Sequence, residues 1–134
     1  KEICTRVRAL WESSSRYLSS GKEKIMGSRL VNLGDKYVSL GEVKPLFSMA
    51  DLVITNDTGP RHIAIATGRK VITLFGPNNP AWTETGYANE IKIIGNADCA
   101  PCHKKICPKE HQCMTAITVE EVLAAAERLL KKRT

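Results

Sequence analysis

A chain of 134 residues and 14.8 kDa has room for one domain. Its 43% hydrophobic and 25% charged residues exclude a disordered tail, and no apolar run approaches the about 20 residues that span a membrane. The net charge of +6 lies on the flanks, with eight Lys and Arg against four acids over 1–36, seven against four over 99–134, and five against six over 37–98. That placement reads as solvated surface or loose attraction to anionic lipid heads, and it speaks against a nucleic-acid site.

Ile3, Val7, Leu10 and Trp11 stand at helical spacing, so an amphipathic helix is expected over 3–11. Residues 13–28, "SSSRYLSSGKEKIMGS", are polar and Gly/Ser-rich and read as a surface connection. "RLVNL" at 29–33 is a short strand. Over 39–50, Ser39 and Glu42 form a capping box ahead of Val43, Leu46, Phe47 and Ala50. Pro45 would remove a hydrogen bond from that helix, so the helix is expected to begin nearer to it.

"DLVIT" at 51–55 is a continuous apolar run, the pattern of a strand buried on both faces. "PRHIAIAT" at 60–67 is a helix with Pro60 in its first turn and Gly68 just past its end. "KVITLFG" at 70–76 is a second buried strand, 77–86 a turn-rich loop, and "IKII" at 91–94 a further strand. The last helix starts on a Thr118–Glu121 capping box, with Val119, Val122, Leu123, Ala126 and Leu130 as its core face. Strands alternating with helices imply an α/β fold, a Rossmann-like parallel sheet flanked by helices. Only about four strands are present, and the chain opens on Lys1 rather than Met. Both observations lead to the expectation of a cytoplasmic fragment truncated on its N-terminal side.

The chemistry concentrates at 53–68, "VITNDTGPRHIAIATG". Ligands of parallel α/β sheets bind beyond the carboxyl ends of the strands, where a helix start offers unpaired N–H groups to an anion. Asp57, Thr58 and Gly59 form the elbow, Gly59 lets an anion approach the backbone, and Thr58 adds a hydroxyl. Arg61 and His62 oppose the helix dipole, which makes sense if an anion arrives from outside. The plainer alternative is a well-capped turn in which Asp57 or Thr58 is the N-cap and His62 merely packs.

The stretch "NDTGPRHIAIATGRKVITLFGPNNPAWT" resembles the C-terminal domain of the family 9 glycosyltransferases, the lipopolysaccharide heptosyltransferases. The likeness extends back through "SLGEVKPLFSMADLVIT" and forward through the closing helix, covering roughly residues 37–130, with Pro45 and Gly41–Glu42 as departures. The resemblance implies a GT-B enzyme, with two Rossmann-like domains and the active site between them. The whole chain, 1–134, would be the C-terminal nucleotide-sugar-binding domain, lacking the N-terminal acceptor domain. The donor it implies is ADP-heptose, the acceptor lipopolysaccharide core, and the reaction an inverting displacement.

Carried over by position, Thr58 and Gly59 would donate to the diphosphate, His62 would sit beside it, and Asp57 would orient the elbow or a neighbouring cation. Val38 falls where the family lines the nucleotide pocket, and Glu2 is the candidate for its acid near the ribose. No catalytic base is assigned within this chain, and the fragment alone is expected to bind ADP weakly and transfer nothing. No cofactor is required on this reading, since many GT-B enzymes work without a metal and no Asp-x-Asp pair occurs. The expected location is cytoplasmic, with contact to the inner-membrane surface. Two other classes stay open: a non-catalytic module for nucleotide or sugar phosphate, and a metal-stabilised basic module for nucleic acid.

Cys99, Cys102, Cys107 and Cys113, with His103 and His111 between them, could ligate zinc or an iron–sulfur cluster. Disulfides and simple thiols tying down a long loop are the alternatives. Cys4 stands apart and reads as packing, and Trp82 as either a stacking platform or packing at the cleft edge.

Overall fold

The computed structural model describes residues 38–104 and 106–131. The helix expected over 3–11, the strand over 29–33, Glu2 and Cys4 lie outside the described residues. The chain divides at Ser39 and Leu40 into two compact units, and every element below belongs to the second.

Three strands form one parallel sheet in the order β1 (Leu52–Asn56), β2 (Lys70–Phe75), β3 (Glu90–Ile94). Leu52 pairs with Lys70 and Val71 with Glu90, so all three strands present their carboxyl ends to the same side. Helix α1 (Leu40–Ser48) and helix α2 (Gly59–Ala66) flank β1, a 3-10 turn spans Pro80–Thr83, and α3 (Gln112–Thr115) and α4 (Val119–Lys131) close the chain.

The core has two layers because strand side chains alternate between faces. On one face Val53 and Val71 pack with Ala64 of α2, bordered by Phe47, Ala50, Ile65 and Tyr87. On the other Ile72 packs with Ala125 and Leu129 of α4, bordered by Leu52, Leu74, Ile91 and Ile93. The expected arrangement of helices on both faces of a parallel sheet is therefore present, with β2 as its middle strand, buried at Val71–Thr73 and Phe75.

Three expectations change. Helix α1 begins at Leu40 and carries Pro45 inside, because the proline forgoes only one bond while Phe47 and Ala50 anchor that end to the core. Strand β1 is not buried on both faces: Ile54 is 49% exposed, since among the described residues β1 is an edge. On α4 the buried residues are Ala125 and Leu129, with Val119, Leu123 and Leu130 exposed. The apolar arc of α4 is wider than the three-stranded face it covers. The Thr118–Glu121 capping box does form, with Glu121 N–H donating to Thr118 Oγ1 at 3.2 Å and Thr118 N–H to Glu121 Oε2 at 2.9 Å.

Candidate functional site

The carboxyl end of β1 turns at Asn56–Thr58 and enters α2 at Gly59. Thr58 is the N-cap residue, in extended backbone, yet its side chain makes no capping bond to its own helix. Its hydroxyl instead lies 3.4 Å from the Asn56 carbonyl. Pro60, in the first turn, has no N–H to offer, Arg61 N–H is taken by the Thr58 carbonyl at 3.0 Å, and Gly59 N–H has no acceptor among the described residues. Thr58, Gly59 and His62 are all exposed, and the space beside the Gly59 α-carbon is open for at least 4 Å. A helix start whose cap hydroxyl does not cap and whose glycine is open is a place where an anion can sit.

Arg61 does not take part in that outer surface. The expectation that it awaits an external anion is overturned, because its side chain is completely buried and fully engaged inside. Its Nε donates to Glu90 Oε1 at 2.7 Å and its Nη2 to Glu90 Oε2 at 3.0 Å, a bidentate pair. Nη1 reaches Asp57 Oδ1 at 2.8 Å, Thr83 O at 2.9 Å and Thr83 Oγ1 at 2.8 Å. The guanidinium also lies over the Phe75 ring, 5.2 Å from its centroid. Thr83 Oγ1 in turn stands 3.1 Å from both Asp57 carboxylate oxygens, and Thr73 Oγ1 donates to Glu90 Oε1.

The two carboxylates are nearly as buried as the arginine, Asp57 at 7% and Glu90 at 2% exposure. Hydrogen bonding to Glu90 holds Arg61 above its ordinary value, against the opposing effect of burial. Burial pushes the Glu90 carboxyl up, but the hydrogen bonds from Arg61 and Thr73 outweigh it and leave the group below its ordinary 4.5. The network thus fastens the elbow, the 3-10 turn and the start of β3 to one another from beneath.

The expected site residues separate accordingly. Thr58, Gly59 and His62 face outward on the elbow, while Asp57 belongs to the buried network under it. Val38 is half-buried and lies in the first of the two compact units. Sequence reasoning missed Glu90, Thr83 and Thr73; the signal for Glu90 was a lone carboxylate opening a short strand, "EIKII", whose other residues are three isoleucines and a lysine.

The cysteine segment follows β3. Cys99, Cys102, Cys107 and Cys113 are free thiols, and among the described residues no three His, Cys, Asp or Glu side chains converge to hold a metal ion. Cys107 Sγ accepts N–H bonds from Lys109 at 3.4 Å and His111 at 3.2 Å, and Cys113 is buried under the carboxyl ends of β2 and β3. Trp82 stacks on His103 with ring centroids 4.0 Å apart while remaining 71% exposed. No described helix is long and apolar enough to cross a membrane.

Comparison with known proteins gives a consistent result. The family model of glycosyltransferase family 9 (heptosyltransferase) matches residues 7–113. The chain is 36% identical over 86 residues to lipooligosaccharide heptosyltransferase 2 of Campylobacter jejuni, covering 63% of this chain and 27% of that protein. It is 33% identical over 111 residues to lipopolysaccharide heptosyltransferase 1 of Pseudomonas aeruginosa, covering 80% and 30%. It is 34% identical over 105 residues to lipooligosaccharide heptosyltransferase 2 of Haemophilus influenzae, covering 76% and 30%. The chain thus spans less than a third of the length of these relatives. No solved structure matches it significantly.

Proposed function

The chain belongs to glycosyltransferase family 9, and on that ground we propose that it supplies the donor-binding half of a heptosyltransferase. The transfer is an inverting displacement from ADP-heptose to lipopolysaccharide core at the cytoplasmic face of the inner membrane. On this reading the whole chain is the C-terminal GT-B domain, and the catalytic base belongs to an acceptor-side domain. The observation that carries it is the N-cap that does not cap: Thr58 leaves the helix start to something else, beside an open Gly59.

The diphosphate is the group that fits there. Gly59 N–H donates to its oxygens, the Thr58 hydroxyl does so on exchanging its long 3.4 Å bond to the Asn56 carbonyl, and the exposed His62 adds a third donor in the first turn. As the sugar departs, the diphosphate gains negative charge. Donors fixed at a helix start then stabilise the transition state more than the ground state. Asp57, close to this anion, would repel it if left unpaired; Arg61 directly beneath, which it shares with Glu90, offsets that repulsion in part. The reaction as proposed needs no metal from this chain.

Titration of the chain with ADP, followed by amide chemical shifts, tests this reading. Saturable shifts are expected at Thr58, Gly59 and His62. Shifts that avoid residues 57–62 at saturating ADP overturn it.

A further inference from the structure

Two loops leave the sheet beside the elbow, one after β2 and one after β3. Between them lies a cleft of about 450 Å³, and all ten residues that line it are uncharged. Three are the asparagines Asn78, Asn79 and Asn96, and Ile94, Ala97 and Pro101 supply apolar surface.

The cleft is held in shape from both sides. The N–H groups of Cys102 and His103, on the second loop, both donate to the Pro77 carbonyl on the first at 3.0 Å. The Trp82–His103 stack is a further bridge between the same two loops. Its floor is closed, because the side of Gly76 is occupied by Met114 and Cys113 and the side of Gly95 by the Cys113 carbonyl. One asparagine is used structurally: Asn79 Oδ1 accepts the Ala81 N–H at 3.0 Å. Asn78 and Asn96 are exposed, and neither amide has a partner among the described residues.

We propose that this cleft is a subsite for a neutral sugar ring. A phosphate or carboxylate would find no counter-charge in an uncharged lining. A side-chain amide both donates and accepts, as a hydroxyl does, so two free amides suit a polyhydroxylated ring. The apolar patches match the C–H faces of such a ring. The volume lies within the range of small-molecule sites, and the position outside the carboxyl ends of parallel strands is where α/β sheets bind ligands. That the ring comes from the donor or acceptor of a heptosyl transfer rests on the function proposed above. The cysteine segment then acts as the outer wall of the subsite.

The test is calorimetric titration of the 134-residue chain and its Asn78→Ala and Asn96→Ala variants with three ligands. These are ADP, ADP-heptose, and a heptose-bearing core oligosaccharide without nucleotide. Each substitution is expected to weaken the sugar-bearing ligand about fivefold and leave ADP unchanged, with the melting temperature unaltered because both side chains are exposed. A loss confined to ADP-heptose identifies the donor sugar, and a loss confined to the oligosaccharide the acceptor. Unchanged affinity of both variants for both sugar ligands overturns the proposal, as does a parent chain that neither binds the oligosaccharide nor binds ADP-heptose more tightly than ADP. Absence of ADP binding instead removes the elbow reading, and the oligosaccharide arm still decides the cleft.

Discussion

Replacing Arg61 by Met keeps an unbranched apolar stem and removes the guanidinium, with its charge and its five hydrogen bonds. Two carboxylates, 7% and 2% exposed, are then left without a counter-charge. Breaking a buried pair by removing one partner costs about 3–5 kcal/mol. For a chain of this size that is a fall of roughly 10–25 °C in melting temperature. The pH dependence carries the sharper signature. In the parent, Glu90 is depressed below 4.5, so the stability it contributes is present above 4.5 and lost as pH falls through its folded value. In Arg61→Met the bond and charge of Arg61 are gone, and burial, the largest influence on Glu90, is opposed only by the Thr73 hydroxyl and the charge of Lys92; Glu90 therefore rises, and its cost is relieved as pH falls. Urea unfolding between pH 3.5 and 7 should therefore show the parent weakening in acid and the variant regaining part of its loss. The double variant Arg61→Met/Glu90→Leu should be more stable at pH 7 than Arg61→Met alone, since no carboxylate remains at that position. A cost below about 1 kcal/mol for Arg61→Met, or a variant that weakens in acid as the parent does, would mean that Arg61 does not hold the two buried carboxylates.

Three further outcomes follow from the same geometry. Gly59→Ala adds a methyl into open space, so the melting temperature should hold within about 2 °C while ADP affinity falls on the order of tenfold; equal ADP affinity would remove the elbow from the binding site. Thr118→Ala breaks the capping box of α4 and should cost about 1 kcal/mol in urea unfolding. Gly95→Ala would drive its new methyl into the Cys113 backbone carbonyl, and should cost more than Gly76→Ala, whose methyl meets mainly the flexible end of Met114. Thermal melts of the two side by side check that order.

The parts of the fold that a local signal encodes were legible. The Thr118–Glu121 pair caps its own helix because both partners lie within one turn, and the strand–helix–strand rhythm of 51–76 encodes a parallel sheet through its spacing. Burial was less legible, because it depends on neighbours along the sheet. "DLVIT" and "KVITLF" look alike as apolar runs, yet Ile54 is half exposed and Ile72 completely buried. What separates them is position in the strand order, which periodicity does not carry. The same limit moved the buried stripe of α4 to Ala125 and Leu129: the helix arc was readable, but not how much of it the sheet would cover.

At the elbow the illegible element was the partner of Arg61. A basic residue in a first helical turn opposes the dipole, and sequence alone leaves two remedies: an anion from outside or a carboxylate from within. Asp57 stands four residues before Arg61, at a spacing that allows pairing, but one carboxylate beside the helix start does not exhaust five guanidinium donors. Glu90, 29 residues further on, takes two of them, and Thr83 takes its share through a carbonyl and a hydroxyl. Those partners meet Arg61 only because β3 lies next to β2 and the 3-10 turn folds back over the elbow. Once they do, the cation is committed inward and cannot also meet a ligand. Anion recognition at the surface is then left to the Gly59 N–H and the His62 ring, with the Thr58 hydroxyl held only by a long 3.4 Å bond to the Asn56 carbonyl. The internal pairing of Arg61, shared between Asp57 and Glu90, therefore offsets only part of the repulsion that Asp57 would exert on an external anion, and the Gly59 N–H and the His62 ring are the groups left to meet that anion.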